Sequence, residues 1–191
     1  SRRGSEDLVA ILASAQEIFG IRPQGLRQSG ARKDMSTVSP RAREHEHRLP
    51  FDAHSELIQA IIEAFVPRFA PGAKLIYIDH ARPELPYFDQ DTFHSLQLTL
   101  TPDDRFPDVI LDYREMNRLF LIDAITGHGL INPKRRVELA TNFAPAIAEL
   151  VYGSVFPNRQ VASQYMDEIA WETGVWFADE PEHHIYFNGR T

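Results

Sequence analysis

The stretch FPDVILDYREMNRLFLIDAI, residues 106–125, holds two apolar runs, DVILDY (108–113) and RLFLIDAI (118–125), on either side of a polar turn at Arg114–Asn117. Runs of this length, rich in branched and aromatic residues, predict the two arms of a β-hairpin. Strand alternation then puts Leu119, Leu121, Asp123 and Ile125 on one side and Phe120, Ile122 and Ala124 on the other. An ionised aspartate in so apolar a strand needs partners or a cation, because an unpaired buried charge is costly. If the arms pair across the turn, Asp108 and Asp123 approach each other at the sheet end. Two converging carboxylates repel until a divalent metal neutralises them. Oxygen ligands in a chain without cysteine point to Mg²⁺ or Mn²⁺ rather than zinc. The plainer reading of the pair is capping and sheet-end solvation.

Outward from the hairpin, Lys74–Asp79 (KLIYID) predicts a short strand, a Pro- and aromatic-containing loop follows, and Phe93–Leu100 reads as another strand. Upstream, Leu57, Ile58, Ile61, Ile62 and Phe65 form a helical stripe that begins near Asp52 and closes at Pro67 and Pro71–Gly72. Downstream, Pro133 opens a helix whose buried side is Leu139, Ala140, Phe143, Ile147 and Leu150, with Pro145 predicting a kink or an early stop. Val151–Val155 is then expected as a strand, Arg159–Glu172 as a helix, and Val175–Phe177 and His184–Phe187 as strands. Helix, strand, antiparallel hairpin, helix, strand is the order of an α/β sandwich around a mixed sheet. Neither the glycine fingerprint of a dinucleotide fold nor the GK[ST] of a P-loop is present, and no internal repeat is visible.

The 191 residues suffice for one domain with a core, or for one domain plus an N-terminal extension. Residues 5–19 (SEDLVAILASAQEIF) predict a helix capped by Ser5 and stopped by Gly20. The polar, arginine-scattered segment from Ile21 to Leu49 is either a solvated linker or an arm that clasps DNA. The division is therefore an N-terminal helix and basic linker at 1–50 and a compact domain at 51–191. With 43% hydrophobic and 25% charged residues the chain is ordinary globular material, and the absence of cysteine excludes disulfide scaffolds, thiol nucleophiles, iron–sulfur clusters and Cys-type zinc sites. No apolar run approaches a membrane span and no secretory segment opens the chain, so a soluble intracellular protein is expected. The sequence opens on Ser1 rather than Met, and a fragment of a longer protein is one reading of that.

The net charge of −7 argues weakly against a protein that coats nucleic acid non-specifically. Residues 1–50 hold nine Lys and Arg against six Asp and Glu, net +3, and the remaining 141 carry net −10. An acidic body is compatible with a DNA substrate where carboxylates gather around cations, but phosphate contacts must then be local. One local candidate is Asn132-Pro133-Lys134-Arg135-Arg136, three cations in the first turn of a helix, where the macrodipole disfavours them. They call for an anionic partner, phosphate or the nearby carboxylates, unless they are a solvated basic turn. Just before them, Thr126-Gly127-His128-Gly129 sets a glycine-flanked histidine after a buried strand, which is either functional or a plain turn residue. Glu56 lies on the polar side of the first core helix and reads on its own as a surface carboxylate. His45, His47, His183 and His184 form no metal signature, and Trp171 and Trp176 read as core or interface aromatics.

From about Asp52 to Gly189 the chain resembles the C-terminal catalytic domain of the BsuBI/PstI type II restriction endonucleases. The segments that carry the resemblance are HSEL (54–57), FPDVIL (106–111), LFLIDAITGHGLINPKRRVEL (119–139), VFPNR (155–159) and EIAWETGVWFADEPEHHIYFNG (168–189). That family is similar to the PD-(D/E)xK nucleases, so the resemblance implies a restriction-endonuclease-like α/β core with a mixed central sheet flanked by helices. It implies Mg²⁺-dependent, sequence-specific cleavage of double-stranded DNA by a homodimer, in a prokaryotic cytoplasm and without a membrane. Metal binding is the role it carries to Asp108 and Asp123, with Glu56 as the helix acid that supports the cation. The lysine of the superfamily pattern falls on Ile125, which cannot orient a water; Lys134 is the nearest replacement and His128 the next. Asp123 also stands where glutamate is common, a ligand shorter by one carbon. Lys134 would orient the attacking water or stabilise the transition state, Arg135 and Arg136 would hold flanking phosphates, and the carbonyl of Ala124 or Ile125 would complete the metal shell. The resemblance also implies an N-terminal region mostly outside this sequence, of which residues 1–20 would be the last helix. The competing readings are a degenerate member that binds DNA without cutting it, another metal-dependent nuclease on the same fold, and a metal-free carbohydrate hydrolase using Asp108 and Asp123 as acid and base.

Overall fold

The computed structural model describes residues 51–79, 87–99, 106–127 and 129–189. The expected helix at 5–19, the basic segment 21–49 and His128 lie outside them. The hairpin that anchors the sequence reading is present: β3 (Val109–Tyr113) and β4 (Arg118–Ala124) pair antiparallel, with Val109 opposite Ile122 and Tyr113 opposite Arg118. The chain reverses through a short 3₁₀ turn, Arg114–Met116, and Asn117, whose φ of 53° places it in the left-handed region that Asn tolerates better than most residues.

Around the hairpin a seven-stranded sheet runs in the order β2-β1-β3-β4-β5-β6-β7. Its remaining strands are β1 (Lys74–Ile78), β2 (Tyr87–Phe88), β5 (Glu149–Phe156), β6 (Thr173–Phe177) and β7 (His184–Phe187). β4, β5 and β6 are mutually parallel and the other pairs antiparallel, which makes the sheet mixed, as the sequence predicts. Strand alternation sorts two cores onto its two faces. On one face Leu75, Val109, Leu111, Phe120, Ile122, Val155 and Trp176 pack under α1 (Phe51–Ala60), a π-helical turn (Ile61–Phe65) and α2 (Val66–Phe69). On the other, Ile76, Ile110, Leu119, Leu121 and Tyr152 meet Phe93 of α3 (Gln90–Ser95) and Leu139 and Phe143 at α4 (Pro133–Asn142).

The first helix does not close at Pro67. The N–H of Val66 bonds the carbonyl of Ile61, five residues back, and this wider turn carries the helix through the proline to Phe69, Pro67 having no N–H to offer the ladder. The expected strand at Phe93–Leu100 is instead α3 followed by a turn. Asp89 caps α3 by accepting the N–H of Thr92, and Gln97, at φ 65°, ends it. Tyr87–Phe88, read as loop, pairs with β1. The helix opened by Pro133 stops early at Asn142, consistent with Pro145 disfavouring helical backbone at Ala144, and Ile147, expected inside, is 54% exposed. Only Arg159–Ala162 (α5) of the expected Arg159–Glu172 helix forms. Beyond it the N–H groups of Gln164, Tyr165 and Glu168 bond three residues back, as tight turns do. Trp176 is fully buried and donates its indole N–H to Pro181, whereas Trp171 is exposed beside Phe187.

Candidate active site

The strand register brings the two aspartates together. One step beyond the Val109–Ile122 pair, Asp108 falls opposite Asp123. The contact is direct: Asp108 Oδ2 accepts the backbone N–H of Ala124 at 2.6 Å, while the backbone of Asp108 hydrogen-bonds the Asp123 carboxylate. The same step on the other side, beyond Ile78–Val109, sets Asp79 opposite Asp108, and the Asp79 N–H donates to the Asp108 carbonyl at 2.6 Å. Three adjacent strands thus end in three aspartates at one edge of the sheet. Asp79 closes the strand KLIYID in the sequence, but its alignment with the hairpin depends on a register between separate segments that no local pattern reveals.

Burial pushes both hairpin carboxylates up, to about 7 for each. For Asp123 the negative charge of Asp108 is the next cause. For Asp108 the Ala124 N–H pulls the other way and Asp79 adds to the rise. Partial compensation comes from Arg135 in the first turn of α4. Its Nε is 3.1 Å from Asp123 Oδ2, and its Nη2 donates to the Phe106 carbonyl at 2.8 Å and lies 3.5 Å from Asp123 Oδ1, while Nη1 reaches Glu138 at 3.4 Å. Asn132 caps this helix by accepting the Arg135 N–H, which fixes where the guanidinium starts. Of the two anionic partners that the basic turn called for, the structure shows nearby carboxylates: Arg135 pairs with Asp123, and Arg136 pairs with Glu172 and stacks over Tyr152.

Lys134 is exposed and lines a cleft of about 430 Å³ that Arg135, Glu138, Gly129, Tyr165 and Glu168 also border. Glu56 is exposed on α1, two residues beyond His54 and so about 200° around the helix from it. It is His54 that reaches the site, with Nε2 3.6 Å from Asp108 Oδ1. Burial holds the imidazole below its ordinary 6.5, against the opposing pull of Asp79 and Asp123. In the sequence His54 opens the HSEL segment, but no partner or spacing around it assigns it a role. Ile125 is fully buried in a third apolar cluster with Leu130, Phe156 and Val175, so the position two residues after Asp123 carries no cation.

Among the described residues no group of three His, Cys, Asp or Glu is arranged to hold a metal ion. Two carboxylates nonetheless suit Mg²⁺, which commonly takes one or two from the protein and completes its shell with water and substrate phosphate. Two carboxylates withdrawn from water, one of which raises the pKa of the other, would also be relieved by a cation, so the donor set fits.

A mixed sheet with acidic residues at the mouth of its central hairpin, helices on both faces and a basic helix start beside them is a restriction-endonuclease-like fold. The solved structure of SdaI restriction endonuclease superposes on it with a TM-score of 0.67 at 39% identity, over 71% of this chain and 43% of that one. The model of the BsuBI/PstI restriction endonuclease domain matches residues 38–190, and the chain belongs to that family. It is 43% identical over 136 residues to the type II restriction enzyme BsuBI of Bacillus subtilis and 29% identical over 143 residues to the type II restriction enzyme AplI of Arthrospira platensis. These alignments cover about 70% of this chain but only 43% of each relative, so the chain spans under half of their length.

Proposed function

We propose that this chain is the catalytic portion of a sequence-specific endonuclease that hydrolyses phosphodiester bonds of double-stranded DNA with Mg²⁺, for which Mn²⁺ can substitute. The observation that carries the reading is the in-register meeting of Asp108 and Asp123 at the sheet end, in a family whose relatives are restriction enzymes. A bound divalent cation supplies Lewis-acid stabilisation of the transferring phosphoryl group and lowers the pKa of water. Asp108 and Asp123 would hold that cation, with the Ala124 or Ile125 carbonyl beside them, whereas Glu56, exposed on the far side of α1 from His54, would take no part. Arg135 fixes the orientation of Asp123 through its paired nitrogens and offsets part of its charge. Lys134, exposed at the rim of the neighbouring cleft, would meet a phosphate oxygen or orient the attacking water, with His128 as the alternative. Arg136 would meet a flanking phosphate, a contact that positions a duplex without reading its bases, whereas Arg135 is engaged by Asp123, Glu138 and Phe106.

A palindromic site cut on both strands calls for two copies, so a homodimer with two such centres is part of the proposal. The relatives come from bacteria, which supports a prokaryotic cytoplasm as the setting of the proposed activity. Among the described residues no helix is long and apolar enough to cross a membrane.

A specific observation favours a second reading. Ile125 fills the superfamily's lysine position with a buried apolar side chain, and Arg135 already occupies Asp123, as expected of a degenerate member that binds DNA without cutting it. Incubating the purified chain with a long, sequence-diverse DNA in Mg²⁺ and in EDTA, beside D108A, D123A and K134A, separates the two. The endonuclease yields discrete fragments in Mg²⁺ alone, lost in both aspartate variants. A degenerate binder retains and shifts the DNA uncut.

A further inference from the structure

His54 stands at the upper end of the apolar stripe of α1, one turn before Ile58 and two before Ile61 and Ile62, all buried in the core. An apolar residue there would dock the helix more cheaply than an imidazole. The side chain is 24% exposed, and every charged group facing it from the sheet is a carboxylate: Asp108 at 3.6 Å, with Asp79 and Asp123 acting on it through space. It also makes a hydrogen-bonding contact with the backbone of Ala124. The acceptor there is the Ala124 carbonyl, while the N–H of the same residue, on the preceding peptide, bonds Asp108 Oδ2 at 2.6 Å. The three groups therefore close a ring: Asp108 is held on one oxygen by Ala124 and faces His54 with the other, and Ala124 is gripped from both sides.

We infer that His54 is a positioning residue of the carboxylate centre, fixing the Asp108 carboxylate and the Ala124 backbone in the orientation that a divalent cation and a DNA phosphate require. The inference rests on the endonuclease reading of the same centre. The docking of α1 does not depend on it, because Leu57, Ile58, Ile61, Ile62 and Phe65 supply the buried contact. Removing the ring should thus loosen the carboxylate without unfolding the helix. A glutamine, which keeps a polar amide at similar reach, should restore much of what alanine removes.

The test compares wild type, H54A and H54Q for kcat and KM of DNA cleavage in Mg²⁺, for DNA affinity with Ca²⁺ in place of Mg²⁺, for Mn²⁺ affinity by calorimetry without DNA, and for thermal midpoint. The expected result is a kcat at least tenfold lower in H54A with KM and DNA affinity within twofold of wild type, Mn²⁺ affinity weakened severalfold, and most of the kcat loss recovered in H54Q. An H54A that cuts like wild type, a loss that falls equally on DNA binding and thermal midpoint, or an H54Q no better than H54A overturns the inference. Should wild type cut no DNA, the endonuclease reading fails and the calorimetry decides: weaker Mn²⁺ binding in H54A upholds the positioning role, while unchanged or absent binding in both proteins overturns it.

Discussion

Asp108 and Asp123 hold their protons in the folded protein to about pH 7, mainly because burial penalises their charge. An acid whose folded pKa is raised stabilises the fold fully below its unfolded value of 3.8, and that contribution is lost as the pH climbs toward about 7. Relative to D108N, the metal-free wild type should therefore lose thermal midpoint as the pH rises through that window, and Mg²⁺ should restore it in wild type alone. A parallel pH dependence of the two proteins in calorimetric melts would contradict the pKa assignment. The Arg135 guanidinium is the protein's own counter-charge to ionised Asp123, and breaking a largely buried pair from one side costs about 3 kcal/mol where the carboxylate stays charged, above about pH 7. Urea unfolding of R135A should show a loss of at most that size above pH 7 that shrinks as Asp123 takes up its proton at lower pH, with R135K recovering only part because lysine cannot span Asp123 and Phe106 together. At this scale the sequence was informative where chemistry and alternation coincide. An aspartate in LFLIDAI is conspicuous, and its meeting with Asp108 follows from one short turn. Asp79 and His54 were illegible, because their approach depends on how a distant strand and helix settle against the hairpin.

The hairpin, β1 and β7 were readable from apolar runs bounded by turn residues, and the early end of α4 from Pro145. The short elements were not. In α3 a cap outweighs the strand-like spacing of Leu96, Leu98 and Leu100: Asp89 accepts the Thr92 N–H and its hydroxyl and pairs with Lys74 at 2.7 Å. D89A should destabilise the protein by about 1 kcal/mol or slightly more in chemical denaturation, with D89N, which can still cap, losing less. After α5, by contrast, a helical-looking segment turns through three-residue hydrogen bonds, with Ser163, Gln164, Met166, Asp167 and Glu168 at solvent and little apolar face to bury. Sheet packing imposes tighter limits. A Cβ at Gly174 of β6 would come within 2.5 Å of the His184 ring on β7, so G174A should force that ring off the strand and lower the thermal midpoint more than an alanine at exposed Gly72, adjusted for the latter's φ of +82°.

Across the whole molecule, the mixed sheet with two separate cores matches the architecture that the element order implied, and family membership agrees with it. One end of that sheet gathers three aspartates in register, a histidine from the helix on one face, and an arginine from the helix on the other. No single segment contains that centre; it is a product of register and layer packing. If it is the catalytic machinery, its two central carboxylates must matter far more to chemistry than to DNA binding. The most direct measurement is the single-turnover rate of DNA cleavage at saturating Mg²⁺ for wild type, D108N and D123N, with DNA affinity measured alongside. Wild type should give discrete products, none in EDTA, and each variant should be slower by roughly 10²–10³ or more at little cost in DNA affinity. Cleavage that persists in EDTA, or aspartate variants that cut within tenfold of wild type, would rule these carboxylates out as the catalytic centre.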